Sequence, residues 1–214
     1  KRQVLEGAEF IDVGGYSSRP GADEVSVEEE INRTVPVVQA IYSSIPGVSI
    51  SIDTFRKAVA QKNIEAGATW VNDISAGNMD SKMIPWVKEN KIPYIAMHMR
   101  GTPQTMQSQC EYIDITNEVI SELISSVREL DSDHPLILDP GFGFSKTLDQ
   151  NYQLMSNLES FAKLKQPFLV GVSRKSMIYK ILKSSPKDSL NGTTVLNTFG
   201  ILKGASILRV HDVK

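Results

Sequence analysis

The sequence predicts an α/β protein built as an eight-stranded TIM (β/α)8 barrel, and three observations carry that expectation. Short apolar runs alternate with longer amphipathic stretches along the whole chain. Each run stays almost continuously apolar until its C-terminal end, as strands buried on both faces of a parallel sheet require. Polar and charged residues collect at those C-terminal ends, which in a barrel converge on one mouth where sites are built.

The strand-like runs are residues 9–14 (EFIDVG), 48–53 (VSISID), 69–74 (TWVNDI), 93–99 (PYIAMHM), 136–141 (LILDPG), 167–173 (PFLVGVS) and 206–213 (SILRVHDV). Between them, helical spacing covers residues 26–45, 55–65, 81–90, 112–130, 148–164, 175–183 and 190–203. The first of these opens with SVEE, a capping-box pattern, and the second is followed by EAGA, whose glycine suits a helix C-terminus. The chain opens at Lys1 as if inside a helix and stops abruptly at Lys214. Seven strands then read as a barrel lacking its first strand and last helix, in one domain spanning residues 1–214 and truncated at both ends. The alternative is an open doubly wound sheet, which the absence of GxGxxG after a first strand weakens.

The 214 residues, 41% hydrophobic, can bury one substantial core. A net charge of −2 and a pI near 6.0 give no footprint for nucleic acid or an acidic membrane. A substrate carrying phosphate therefore needs a local basic site. No apolar run approaches the roughly 20 residues of a membrane span. The single cysteine, Cys110, excludes an internal disulfide and reads as an inert loop thiol.

Asp12 with Gly14 and Gly15, Asp53, Asn72 with Asp73, His98, Asp139, Ser173 with Arg174 and Lys175, and Arg209 with His211 all close predicted strands. A lone Asp there is usually a cap or turn former, and Asp53 reads equally as a helix N-cap. Repetition over seven strands is harder to explain by capping. Asn72 and Asp73 are adjacent, so one faces the mouth and the other the surrounding structure. Asp139 precedes Pro and two glycines, which force a turn. Confined carboxylates and an amide suit a flat heterocycle with several N–H donors. Lys175, at a strand-to-helix junction, Arg209 and His211, sharing a strand face, and Arg19, in a glycine-flanked loop, can hold phosphate oxygens. His134 reads as exposed in a polar turn. His98 either supports its neighbours or touches substrate. No Ser/His/Asp order, HExxH or EF-hand loop is present.

DVGGYSSRPGA (12–22), SIDT (51–54), VNDIS (71–75), MHMRGTP (97–103), LDPGFGFSK (138–146), GVSRKS (171–176) and RVHDV (209–213) resemble, in order, the signatures of the dihydropteroate synthases. The match runs through nearly the whole chain. The resemblance implies a transferase of folate biosynthesis that joins 6-hydroxymethyl-7,8-dihydropterin diphosphate to 4-aminobenzoate, releasing diphosphate. It assigns the pterin pocket to Asp53, Asn72, Asp139 and Lys175, and the diphosphate pocket to Arg209 and His211. Ser18, Arg19 and Pro20 match the loop over aminobenzoate, with Phe144 and Ser173 nearby; the family often has Thr where Ser18 stands. The roles implied as catalytic fall to Arg19, Lys175, Arg209 and His211.

The family uses Mg2+, whose Asn ligand lies in a first-strand loop that nothing here matches, so no metal ligand is expected within residues 1–214. The resemblance further implies a homodimer, sometimes fused to other folate-pathway domains, and an intracellular location, cytoplasmic or, in a multifunctional enzyme, mitochondrial. A methyltetrahydrofolate-binding methyltransferase domain looks similar but has no diphosphate to hold. A non-catalytic pterin-binding module has no use for four retained cations.

Overall fold

The computed structural model describes residues 1–19 and 23–214. The chain divides into two compact units, residues 1–97 with 126–136 and 213–214, and residues 98–125 with 137–212.

In the first unit the elements run α1 (Arg2–Leu5), β1 (Phe10–Gly14), α2 (Val27–Ser44), β2 (Ser49–Asp53), α3 (Lys57–Glu65), β3 (Trp70–Asp73), α4 (Met83–Glu89) and β4 (Tyr94–Met97). The four strands pair in chain order and all in parallel, as βα units require. Their register sets Gly14 opposite Asp53 and Asp53 opposite Asn72, so the polar ends are level across the sheet. Behind them Ile50, Ile52, Val71 and Tyr94 are fully buried, with Val38, Val59, Met83 and Val87 from the helices. β2 alternates as SISID, yet Ser51 is as buried as Ile50 and Ile52, so the alternation marks no solvent face there.

The start of α2 differs in detail from the expected capping box. Ser26 Oγ accepts from the Glu29 N–H at 3.1 Å, but the Glu29 carboxylate turns away to Arg33, one helical turn on. Its neighbour Glu30 is fully buried and pairs with Arg56 at 2.8 Å. Burial pushes the Glu30 carboxyl up, against hydrogen bonds that pull it down. Arg56 lies over the rings of Tyr16 and Phe55, 5.1 Å from each, and donates to the Val25 carbonyl at 2.6 Å. The glycine of EAGA behaves as expected: Gly67 has φ +117 just past α3, where a side chain would strike Tyr42.

His134 corrects the sequence reading. It is buried, not exposed, with Nε2 2.8 Å from the Ile92 carbonyl. An imidazole has an apolar body and a polar tip, and one backbone partner satisfies that tip under cover.

In the second unit the chain supplies most of α5 (Ile115–Val127) and β5 (Leu136–Asp139), then α6 (Leu148–Ser156), α7 (Glu159–Ala162), β6 (Leu169–Val170), α8 (Ser176–Tyr179), α9 (Leu190–Leu202) and β7 (Ile207–Leu208). A full capping box starts α6, with Thr147 and Gln150 exchanging side-chain and backbone bonds. β6 pairs with β7 in parallel, and Leu138 bridges to Phe168.

Three expectations are corrected here. The helix expected over 148–164 breaks at Asn157, which leaves helical geometry and turns its amide toward Thr116 Oγ1 at 3.3 Å. The helix expected from Lys175 shrinks to four residues, because Lys175 keeps an extended backbone and Lys183, at φ +49, turns the chain. The final strand ends at Leu208, so Arg209 and His211 do not share a strand face. Arg209 N–H still continues the ladder to Val170 at 3.0 Å, whereas His211 N–H bonds to Ser173 Oγ. Among the described residues no helix is long and apolar enough to cross a membrane.

Candidate functional site

In the first unit, β1 to β3 carry Asp12, Asp53 and Asn72. Asp12 accepts from Ser51 Oγ at 2.6 Å on one oxygen and from Asn72 Nδ2 at 3.1 Å on the other. Asn72 is thereby held in one orientation, its carbonyl oxygen left to read a partner. Asp53 ends β2 half-buried, and α3 begins only at Lys57, so the N-cap reading of Asp53 fails. Gly14 stands opposite, where a Cβ would come within 3.3 Å of the Asp53 Cβ. Glycine keeps that carboxylate unobstructed.

The adjacent Asp73 points the other way and is structural. It is fully buried and accepts from Ser75 N and Oγ at 2.8 Å, Gly77 N at 2.9 Å and Tyr94 OH at 2.7 Å. The two neighbours thus point to different partners, as adjacent strand residues must, and Asp73 is the one committed to the surrounding structure. Ser18 is half-buried and Arg19 exposed on the segment that follows β1. Pro20 lies outside the described residues.

In the second unit, Asp139 ends β5, buried, and accepts from the Gly141 N–H at 2.8 Å. Burial raises its carboxyl above the usual range, opposed by the cations of Lys175, Arg209 and Lys146. Gly171 lies beside it: a Cβ there would be 3.9 Å from Asp139 Oδ2 and 3.8 Å from the Arg209 Cβ. Arg209 and His211 are exposed, and Ser173 Oγ lies 3.1 Å from His211 Nδ1. Lys175 donates to the Phe142 carbonyl at 2.6 Å and sits 5.0 Å over the Phe144 ring. Asp139, Phe144, Ser173, Lys175, Arg209 and His211 are thus all placed on one unit, a carboxylate facing cations. That arrangement can grip a ring bearing N–H donors on the acid and an anionic tail on the bases.

His98 resolves toward support. It is buried, with Nε2 2.9 Å from Glu122 and Nδ1 3.0 Å from Lys146 Nζ. Burial and the Lys146 cation drive its imidazole down to about 4. Hydrogen bonds from His98 and Arg100 hold the Glu122 carboxyl down at about 2. Cys110 is half-buried with Sγ against the Met106 and Gln107 carbonyls, and burial pushes the thiol up.

Lys146 was missed, and Arg174 was noted at a strand end but given no role. Lys146 is a buried lysine behind the Asp139 turn, and Arg174 makes a two-pronged pair with Asp212 at 2.7 and 2.8 Å. Both sit inside quoted motifs, but a lysine beside a helix start reads as solvated. The one available signal was position, immediately before the Thr147 cap. No group of three His, Cys, Asp or Glu among the described residues is placed to hold a metal.

The model of the family described as pterin binding enzyme matches residues 1–211. A dihydropteroate synthase of Synechocystis sp. is 43% identical over 220 residues, covering 100% of this chain and 75% of the relative. The chain belongs to the dihydropteroate synthase family. The folic acid synthesis protein fol1 of Schizosaccharomyces pombe is 44% identical over the whole chain, which spans 31% of that longer protein. The synthase of Thermus thermophilus, solved in complex with 4-aminobenzoate, superposes with a TM-score of 0.90 at 35% identity, covering 99% of this chain and 82% of that one. This likeness shows the expected α/β fold class, that of the synthase barrels, and the activity of the synthase family is that of a transferase.

Proposed function

We propose that this chain catalyses the joining of 6-hydroxymethyl-7,8-dihydropterin diphosphate to 4-aminobenzoate, with the residue roles that follow. The observation that carries the reading is the buried Asp139 carboxylate faced by Lys175 and Arg209. Asp139 pairs with the 2-amino and ring N–H edge of the pterin, Asn72 and Asp53 read the opposite ring nitrogens, and Lys175 the polar edge. Arg209 and His211 take the diphosphate. Ser18, Arg19 and Pro20 meet the aminobenzoate, with Phe144 and Ser173 beside it.

In the reaction the bond from the pterin methylene carbon to the diphosphate oxygen breaks, and diphosphate leaves with the electron pair. The electron-rich dihydropterin delocalises the positive charge left on carbon. The neutral aromatic amine then forms the C–N bond and releases a proton, so no strong base is needed. The protein's work is stabilising the departing charge and aligning the amine. Mg2+ would add charge to the diphosphate. No three His, Cys, Asp or Glu among the described residues would cage it, and substrate oxygens and water would complete its shell.

A homodimer is supported by α9, which exposes Leu190, Val195, Ile201 and Leu202. Fusion to other folate-pathway domains is supported by the length of fol1. The location proposed is intracellular, cytoplasmic or, in a fused enzyme, mitochondrial.

The test is diphosphate release by the complete protein, dependent on both substrates. Arg209→Ala is expected to lower kcat on the order of 100-fold. Unchanged turnover at saturating substrate would remove Arg209 from the mechanism.

A further inference from the structure

The turn after β5 is held from behind by the last residue of LDPGFGFSK, a lysine given no role in the proposed reaction. Lys146 is 4% exposed and carries its Nζ to three acceptors, each at 3.0 Å: the Gly141 carbonyl, the Phe144 carbonyl and His98 Nδ1. An ammonium has three N–H donors and no acceptor, so its bonding capacity is filled. His98 accepts on Nδ1, which leaves its proton on Nε2, donated to Glu122 at 2.9 Å. From the other side Lys175 takes the Phe142 carbonyl, and Asp139 Oδ1 takes the Gly141 N–H. Four of these bonds end on residues 139–144, the segment that carries Asp139 and Phe144, and the two through His98 anchor the Lys146 ammonium itself.

We propose that Lys146 is a positioning residue for the heterocycle: its buried ammonium ties the Asp139–Phe144 turn to His98 and so aims the Asp139 carboxylate. The proposal rests on the reading of Asp139 as the acceptor for the pterin ring. Lys146 acts through Asp139 and the turn, without touching substrate. A neutral amine has two donors and a lone pair, which cannot satisfy three acceptors. Losing the proton therefore leaves one acceptor facing a lone pair, and the turn loosens.

Burial brings the Lys146 amine down to about 7, helped by Lys175 and Arg100 and opposed by Asp139 and Glu122. His98 also faces it directly, Cys110 feels its charge, and Tyr112 lies beyond, against Ser145 and the His98 ring. His98 stands at about 4 and Glu122 at about 2, while Arg100, Tyr112 and Cys110 are all pushed up. Asp139 and Lys175 remain in a Lys146 variant, so any dependence on pH that they cause persists there.

The experiment titrates 6-hydroxymethylpterin, the ring without its diphosphate, into the complete protein and its Lys146→Met and Asp139→Asn variants by calorimetry. Near pH 6 Lys146→Met is expected to bind on the order of tenfold more weakly than wild type. That ratio is expected to shrink toward one as pH rises to about 9, because wild type loses the proton that the variant never had. Wild-type affinity in Lys146→Met, or a ratio unchanged across the range, overturns the proposal. Asp139→Asn binding like wild type would instead overturn the assignment of Asp139, so the two failures are distinguishable. Lys146→Gln keeps two N–H donors and is expected between the two; equal affinity for Gln and wild type near pH 6 counts against the three-donor argument. Should neither variant melt cooperatively, wild type decides alone: affinity flat from about pH 6 to about pH 9 refutes the idea.

Discussion

The Tyr94 hydroxyl donates to Asp73 at 2.7 Å, and both side chains are fully buried. Asp73 follows Asn72 on β3, so one strand end holds two arrangements: the amide is oriented by Asp12, and the carboxylate locks the turn through Ser75 and Gly77. Tyr94→Phe removes one donor from a buried anion and is expected to cost about 1–3 kcal/mol of stability. Pterin affinity well below the melting temperature should hold, because Asn72 keeps its partner. Burial already raises the Asp73 carboxyl, and losing the hydroxyl raises it further. A raised acid favours the folded state at low pH and loses that advantage as pH climbs through the folded value. The gap in stability between wild type and Tyr94→Phe should therefore widen from acid to neutral pH in denaturant melts. A gap constant with pH would place Asp73 in its neutral form throughout.

Gly141 stands where two demands meet. Its φ is +71, and an added Cβ would lie 1.9 Å from the His98 carbonyl oxygen, a backbone atom that cannot swing aside. Gly141→Ala is expected to lose at least the roughly 1–2 kcal/mol of left-handed backbone and more for the displacement. Pterin affinity should fall with it, since the Gly141 N–H is the donor to Asp139. Gly143→Ala is the control: φ is +82, but the nearest contact is Lys175 Cδ at an ordinary 3.4 Å. Thermal melts and pterin titration of both should separate clash from strain. Equal losses would make conformation alone responsible.

The strand cores and the parallel pairing of the first unit were legible, because buried strands leave direct marks in sequence; alternation set Asn72 and Asp73 on opposite faces without saying which was which. Asp139, Ser173, Lys175, Arg209 and His211 drew notice because polar residues at the ends of apolar runs stand out in sequence, and the structure gathers them on one unit. Lys146 and His134 were not legible. Their burial is decided by acceptors far along the chain, the His98 ring for one and the Ile92 carbonyl for the other, and no local pattern encodes such partners. The short α8 escaped for a similar reason: Tyr152 OH donates to the Met177 carbonyl at 2.7 Å, a tertiary bond that rewards an early stop.

Arg174 has φ +56 and holds Asp212 with both prongs of its guanidinium, while its own N–H bonds to Thr193 Oγ1 at 3.1 Å. Asp212 follows His211, so this pair anchors the segment assigned to the diphosphate. Arg174→Lys keeps the charge but cannot make two parallel bonds. The expected result is a several-fold rise in KM for the pterin diphosphate, with affinity for 6-hydroxymethylpterin unchanged. A parallel loss of both would assign Arg174 to the whole turn instead of the diphosphate segment.

Lys146 also makes a stability argument with a definite sign. Its folded value of about 7 lies below the ordinary lysine value, so between the two the unfolded chain binds the extra proton. Stability then rises with pH across that interval, and the buried charge is a cost carried in full below about 7. Lys146→Met has no such proton. In urea melts, wild type minus Lys146→Met should therefore become more favourable to wild type from about pH 7 to about pH 10, by more than about 1 kcal/mol. Pterin binding runs the other way, strongest where the ammonium is present. A buried charge kept at a cost to the fold, in the range where it aids the ligand, is what a positioning role requires. A difference flat in pH would mean that the three acceptors hold the ammonium fully charged throughout, with their hydrogen bonds outweighing the desolvation.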